Sequence, residues 1–71
     1  MERDPVESSV VASIGYDARS RVLEIEFHFN QAIYQYDNVP LQVYEEFIVA
    51  ESKGKYFNQK IRNNYFESKI K

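Results

Sequence analysis

One histidine, a Tyr-x-Tyr pair and a cluster of cations towards the end of the chain are the side chains that could do chemistry. His28 follows Glu24 and Glu26 in the run Leu23-Glu24-Ile25-Glu26-Phe27-His28. A metal site would need at least two further N, S or carboxylate donors converging on the imidazole. There is no cysteine, and alternating glutamates on one strand are ordinarily a solvated face rather than an acid–base pair. A Ser-His-acid set would have to use His28, and nothing marks any serine as activated. Ser52-Lys53-Gly54-Lys55 lacks the G-x-x-x-x-G-K-[ST] spacing of a phosphate-binding loop. His28 reads as a surface residue, and the expectation is a non-catalytic protein with no metal and no cofactor.

Binding chemistry is better represented. From Lys53 onward the chain holds Lys53, Lys55, Lys60, Arg62, Lys69 and Lys71 against the single carboxylate Glu67, a net +5. The preceding residues carry three arginines against ten carboxylates, net −7. On a helix, Lys55, Asn58, Gln59 and Arg62 fall within about 100° of rotation, with Lys53 and Lys60 nearby. Such a face could follow a nucleic-acid backbone by releasing counterions, or it could be a solvated face that complements the acidic body. Tyr34 and Tyr36 point to one side of a strand and admit two readings. On an open sheet face they would stack bases, as in readers of single-stranded RNA. Facing the helices they would be core, and the need of so small a domain for aromatic burial favours that reading. Tyr56 is a further stacking candidate.

These residues have to be positioned by elements whose patterns are visible. Ser9 to Tyr16 reads as a strand with Val10, Ala12, Ile14 and Tyr16 on one face. Asp17-Ala18-Arg19-Ser20 supplies turn chemistry. Arg21 to Phe29 is the clearest strand, its Leu23, Ile25, Phe27 and Phe29 alternating with polar positions. Asn30-Gln31 is a hairpin turn in which Asn tolerates positive φ and Gln does so poorly, and Ala32 to Tyr36 is a third strand. Pro40 then suits the first turn of a helix, with Asp37 or Asn38 as cap. Leu41, Tyr44, Phe47 and Ile48 form the apolar stripe of that helix. Gly54 suits a left-handed C′ position. A second helix is expected over 55–66, anchored by Phe57, Ile61 and Tyr65.

The expected fold is α+β, a three-stranded antiparallel meander packed on two C-terminal helices (β-β-β-α-α), in one domain over 1–71. Residues 1–7 are expected to be loose and 8–70 folded. At 71 residues the core is small, and the six Tyr and five Phe are its main resource. Dimerisation is the other route to burial, so a monomer or weak homodimer is expected. No apolar segment approaches membrane-spanning length, and the charged start lacks a secretory pattern. Both suit the cytoplasm, as does the absence of cysteine.

Several motifs occur in a recognisable order: Ser8-Ser9, Ile14-Gly15-Tyr16-Asp17, Leu23-x-Ile25-x-Phe27, Tyr34-x-Tyr36-x-x-Val39-Pro40, and Ala50-x-Ser52-x-Gly54-x-Tyr56-Phe57-Asn58-x-x-Ile61-Arg62-x-x-Tyr65. Together, over about residues 8–70, they resemble the KTSC domain, a short bacterial domain found at the C-terminus of some lysyl-tRNA synthetases and also on its own. That family usually has a glycine three residues before the first tyrosine; here the position is Gln31. The resemblance implies RNA, tRNA-like or single-stranded, as partner, and the basic and aromatic residues singled out by charge and spacing, Lys53, Lys55, Asn58, Gln59, Lys60, Arg62, Tyr34, Tyr36 and Tyr56, are the candidate contacts. The alternative is a protein–protein interaction module.

Overall fold

A computed structural model describes residues 1–71. Five antiparallel strands lie side by side in sequence order: β1 (Asp4–Pro5), β2 (Val11–Asp17), β3 (Val22–Phe27), β4 (Ile33–Tyr36) and β5 (Glu67–Lys69). Between β4 and β5 come helix α1 (Leu41–Val49) and the short helix α2 (Lys53–Tyr56), which continues into a π-helical turn, Phe57–Ile61. The α+β class and the central β2-β3-β4 meander match expectation, but the sheet gains a strand at each edge.

The helices cover one face of the sheet. Val11, Ile14, Leu23, Ile25, Phe27 and Tyr36 from the strands meet Val39, Phe47 and Ile61 in one core. An aromatic chain runs through it. Tyr16 stacks on Tyr44 at 4.8 Å, while Phe57 meets Phe27 at 5.1 Å and Tyr36 at 5.7 Å, both edge to face. This geometry adds to plain area burial in a chain too short for a large aliphatic core.

Strict alternation fails in β2, where the ladder to β3 shifts register between Val11 and Ser13. The bulge at Ala12 lets Val11 and Ile14 both point into the core, although they sit three apart. β3 ends at Phe27, so Phe29, expected in the apolar row, is 83% exposed. In the following turn the Asn30 side-chain oxygen accepts from the Ala32 N–H at 3.0 Å, and Gln31 takes the left-handed conformation at φ 57°. The position where the family favours glycine is therefore one that a glycine would occupy without a Cβ clash.

Three helix expectations are corrected. Pro40 is itself the N-cap of α1 and no side chain caps that end, so neither Asp37 nor Asn38 does so. The face α1 buries is Val43, Tyr44 and Phe47, leaving Leu41 and Ile48 largely exposed. Gly54 is not left-handed: it lies inside α2, where an added Cβ would come to 3.0 Å from Val10 Cγ2. Its role is close packing of α2 on the loop before β2. The residue that turns the chain after the helical segment is Asn63, at φ 66°.

In the segment expected to be loose, Asp4–Pro5 forms the edge strand β1 and the residues before it run as a strap onto the sheet's other face. β1 pairs Asp4 with Ile14 and Pro5 with Ser13. The strap backbone lies so close to Gly15 that a Cβ there would collide with the Glu2 carbonyl oxygen. Arg3 reaches over β2, donating Nε–H to Ser13 Oγ at 3.0 Å and pairing with Glu24. Gln35 donates to Glu24 at 2.8 Å and Ser13 to Glu26 at 2.9 Å. Glu24, expected to face water, is thus 5% exposed. Burial alone would raise its carboxyl, but hydrogen bonds from Gln35 and Arg3 and the guanidinium charge outweigh it and hold the pKa below the ordinary value.

Candidate nucleic-acid interface

β4 places Tyr34 and Tyr36 on the same face of the sheet as Ile25 and Leu23, their cross-strand partners. That is the helix side, so an open-face platform of tyrosines does not exist. Tyr36 is 1% exposed. Tyr34 is half-buried, meeting Phe27 edge to face at 5.9 Å and Tyr36 at 6.5 Å. The opposite face, where a platform was conceivable, carries the Arg3–Glu24 network.

The edge of the helix-covered face is open instead. Residues 62–69, expected to be helix and frayed tail, leave the π turn and return as β5, pairing Tyr36 with Glu67 and Tyr34 with Lys69. Between β5, the β3–β4 turn and the π turn lies a groove of about 330 Å³. Phe29, Tyr34 and Phe57 supply aromatic walls, and Asn30, Asn58, Arg62 and Glu67 supply polar atoms. The Tyr36 hydroxyl lies at its base, its pKa raised first by burial and then by the adjacent Glu67 carboxylate.

The π turn sets this geometry. Arg62 N–H bonds back to the Phe57 carbonyl at 2.8 Å, five residues earlier. The wide turn buries Ile61 completely while Asn58 and Arg62 both border the groove. Single π turns inserted in helices often mark functional sites.

Of the nine sequence candidates, the groove brings together Tyr34, Tyr36, Asn58 and Arg62. Lys55, Gln59 and Lys60 are exposed on the adjoining helical segment and do not line it. Lys53 is half-buried, its ammonium donating to the Ala50 carbonyl at the end of α1 at 2.9 Å, a favourable place for a cation. Tyr56 is occupied too. It stacks on Phe47 at 5.6 Å and its hydroxyl donates to Glu46 at 2.8 Å. Burial and then the Glu46 carboxylate push its pKa up to about 12.

Phe29, Asn30, Phe57 and Glu67 were not among the candidates. A signal for Phe29 existed: it directly precedes Asn30-Gln31, and a side chain that close to a tight turn has left the ladder. Glu67 gave none, because its importance comes from pairing with a strand more than thirty positions away.

Arg3–Glu24 is the only ion pair within 4 Å. Lys55, Lys60 and Arg62 are therefore not neutralised by the acidic body. No three His, Asp or Glu side chains converge as a metal site would require, and no helix is long and apolar enough to cross a membrane.

Fold and groove together define a small α+β domain with helices on one side of a five-stranded sheet and an aromatic-walled cleft at its edge. The KTSC domain profile matches residues 7–65. The chain belongs to the KTSC domain family. A solved KTSC domain protein from Yersinia pestis superposes with a TM-score of 0.94 at 41% identity, over 99% of this chain and 97% of that one. An uncharacterised protein of Stutzerimonas stutzeri is 36% identical over 66 residues, 93% of this chain and 92% of its own length. A lysine–tRNA ligase of Nostoc punctiforme is 36% identical over 59 residues, which is 83% of this chain but 10% of the ligase.

Proposed function

We propose that this domain is a binding module for single-stranded RNA. The groove takes one unstacked base between Phe29, Tyr34 and Phe57, and the flanking phosphates lie along Arg62, Lys60 and Lys55. The observation that carries this is the convergence of exposed aromatic surface, side-chain amides and an unpaired guanidinium in one cleft. Base–aromatic stacking contributes about 1–3 kcal/mol per base without regard to sequence. The occurrence of a related domain within lysine–tRNA ligases, whose named substrate is a tRNA, points to the same ligand class.

An NMR titration with a short single-stranded RNA and with tRNA, at low and moderate salt, tests the reading. Amides of residues 29–34, 57–62 and 67–69 should shift. Three phosphate contacts on a single strand give a slope of log K against log salt of about −2. Lys55→Glu with Arg62→Glu should abolish binding. No shift with protein at about 100 μM, the weak end of non-specific affinity, would end the RNA reading. A protein partner is the second reading, favoured by Leu41, Ile48 and Val49 on the uncovered side of α1. It would survive the charge reversals and fail on Val49→Glu.

A further inference from the structure

The aromatic walls of the groove accept any base, because every base has a π face. Selection therefore falls to the polar atoms, and these are unequal. Asn30 has its carbonyl engaged by the Ala32 N–H, so its free end donates. Arg62 only donates. Glu67 only accepts, it has no cationic partner within 4 Å, and its one polar neighbour, the Tyr36 hydroxyl, can fill only one of its roughly four lone-pair sites. A carboxylate among donors gains nothing for a site that merely collects phosphates, since it repels them. Its place makes physical sense if it reads a base edge.

A carboxylate is matched by two adjacent N–H donors. Guanine alone among the four RNA bases offers them, at N1 and at the exocyclic N2. Adenine and cytosine set one amino group beside a ring acceptor, and uracil sets one N–H between two carbonyls. Guanine's other edge presents O6 and N7, the acceptor pair that an arginine fork takes. The groove holds the complement of both edges, Glu67 for the donors and, for the acceptors, the Arg62 guanidinium, whose five N–H donors leave some for the neighbouring phosphate as well. We propose that the base bound in this groove is guanine, with Glu67 as the specificity-determining residue. The proposal rests on the RNA reading above.

The test uses the full chain and four labelled RNAs, identical uridine tracts with a single central guanosine, inosine, adenosine or cytidine. Inosine differs from guanosine only by lacking the N2 amino group. Fluorescence anisotropy should give about tenfold tighter binding to the guanosine RNA than to each of the others. Glu67→Gln, verified as folded by its amide spectrum, should bring guanosine and inosine to equal affinity while binding persists. Equal affinity of the wild type for all four overturns the guanine assignment and leaves the RNA reading standing. A guanosine preference that survives Glu67→Gln overturns the role of Glu67. Binding to none of the four removes both readings.

Discussion

Replacing Arg3 by alanine tests whether the strap is part of the folded structure or an ornament on it. Glu24 is 5% exposed and relies on two side chains, Arg3 and Gln35. Removing one partner of a fully buried ion pair costs about 3–5 kcal/mol. The Arg3 side chain is 25% exposed, so the strap can lift and water can take its place; the expected loss falls to about 2 kcal/mol. A chain of this size has about 4–10 kcal/mol in total at 0.05–0.15 kcal/mol per residue. With an m-value near 1 kcal/mol/M in urea, the unfolding midpoint should fall by about 2 M. Adding Glu24→Gln to Arg3→Ala should recover about 1 kcal/mol, because a neutral amide tolerates the site better than an unpaired charge. The pH dependence has a definite sign. Glu24 has a lowered pKa, so its contribution is present above the unfolded value of about 4.5 and is lost as pH falls through the lower folded value. Wild type and Arg3→Ala should therefore begin to converge in stability as pH falls below about 4.5, and finish converging below the lower folded value of Glu24. A midpoint for Arg3→Ala within about 0.5 M of wild type at pH 7 would refute the anchoring role, since that is the scatter of ordinary surface changes.

Gly15→Ala should displace the same strap by collision with the Glu2 carbonyl, and in urea its cost should overlap with that of Arg3→Ala rather than add to it. Gln31→Gly should raise stability by about 0.5–1 kcal/mol in the same assay, because the strain of an L-residue at φ 57° exceeds the extra chain entropy of glycine. Alkaline titration should begin to unfold the protein above about pH 10. Burial, followed by Glu67 for Tyr36 and Glu46 for Tyr56, raises both phenols. Their contribution is full below the unfolded value and is lost as pH climbs towards the folded ones. Absorbance at tyrosinate wavelengths, followed with circular dichroism, should show the late phenols ionising together with loss of structure, and early ionisation in the native state would contradict the packing.

What was legible in the sequence was local. The alternation of β3, the Asp17 turn and the break at Pro40 all follow from neighbours within a few residues. What was hidden depends on distant partners. A strand of two residues, Asp4–Pro5, has no periodicity to detect and exists because β2 offers an edge and Glu24 offers Arg3 a counter-charge. The sequence Glu67-Ser68-Lys69 is likewise too short to reveal β5, and the expectation there was a frayed end after a helix over 55–66. The bulge at Ala12 inverted half of the β2 assignment, because one extra residue moves every later side chain to the other face. For the site, the right residue types were chosen on the right segments, but Tyr56 and Lys53 turn out to be tied into the fold. The groove's own Phe29 and Glu67 became functional candidates only when β5 closed the edge.

The charge distribution also changes meaning once the two faces are separated. A net −7 body and a pI near 5.3 count against a nucleic-acid binder when the chain is treated as a point. Glu24 and Glu26, however, are engaged with Arg3, Gln35 and Ser13 on the strap face. Arg62 and Lys69 stand on the groove side. Packed layers lie about 10 Å apart, and charges are screened over about 8 Å at physiological ionic strength. A strand laid along the groove therefore experiences mainly the charges near it, the groove's cations and Glu67, while carboxylates on the far side are weakened by distance and by the salt around the molecule. The strap reinforces this asymmetry. By pairing Glu24 with Arg3 at the centre of the opposite face it offsets one charge well placed to act through the sheet; the other acidic residues are spread over the chain's start, the ends of β2, β3 and β4, α1 and the residues after it, and only Glu67 borders the groove. Local potential at the groove, rather than the sign of the whole chain, is then the quantity that decides whether a polyanion can approach it.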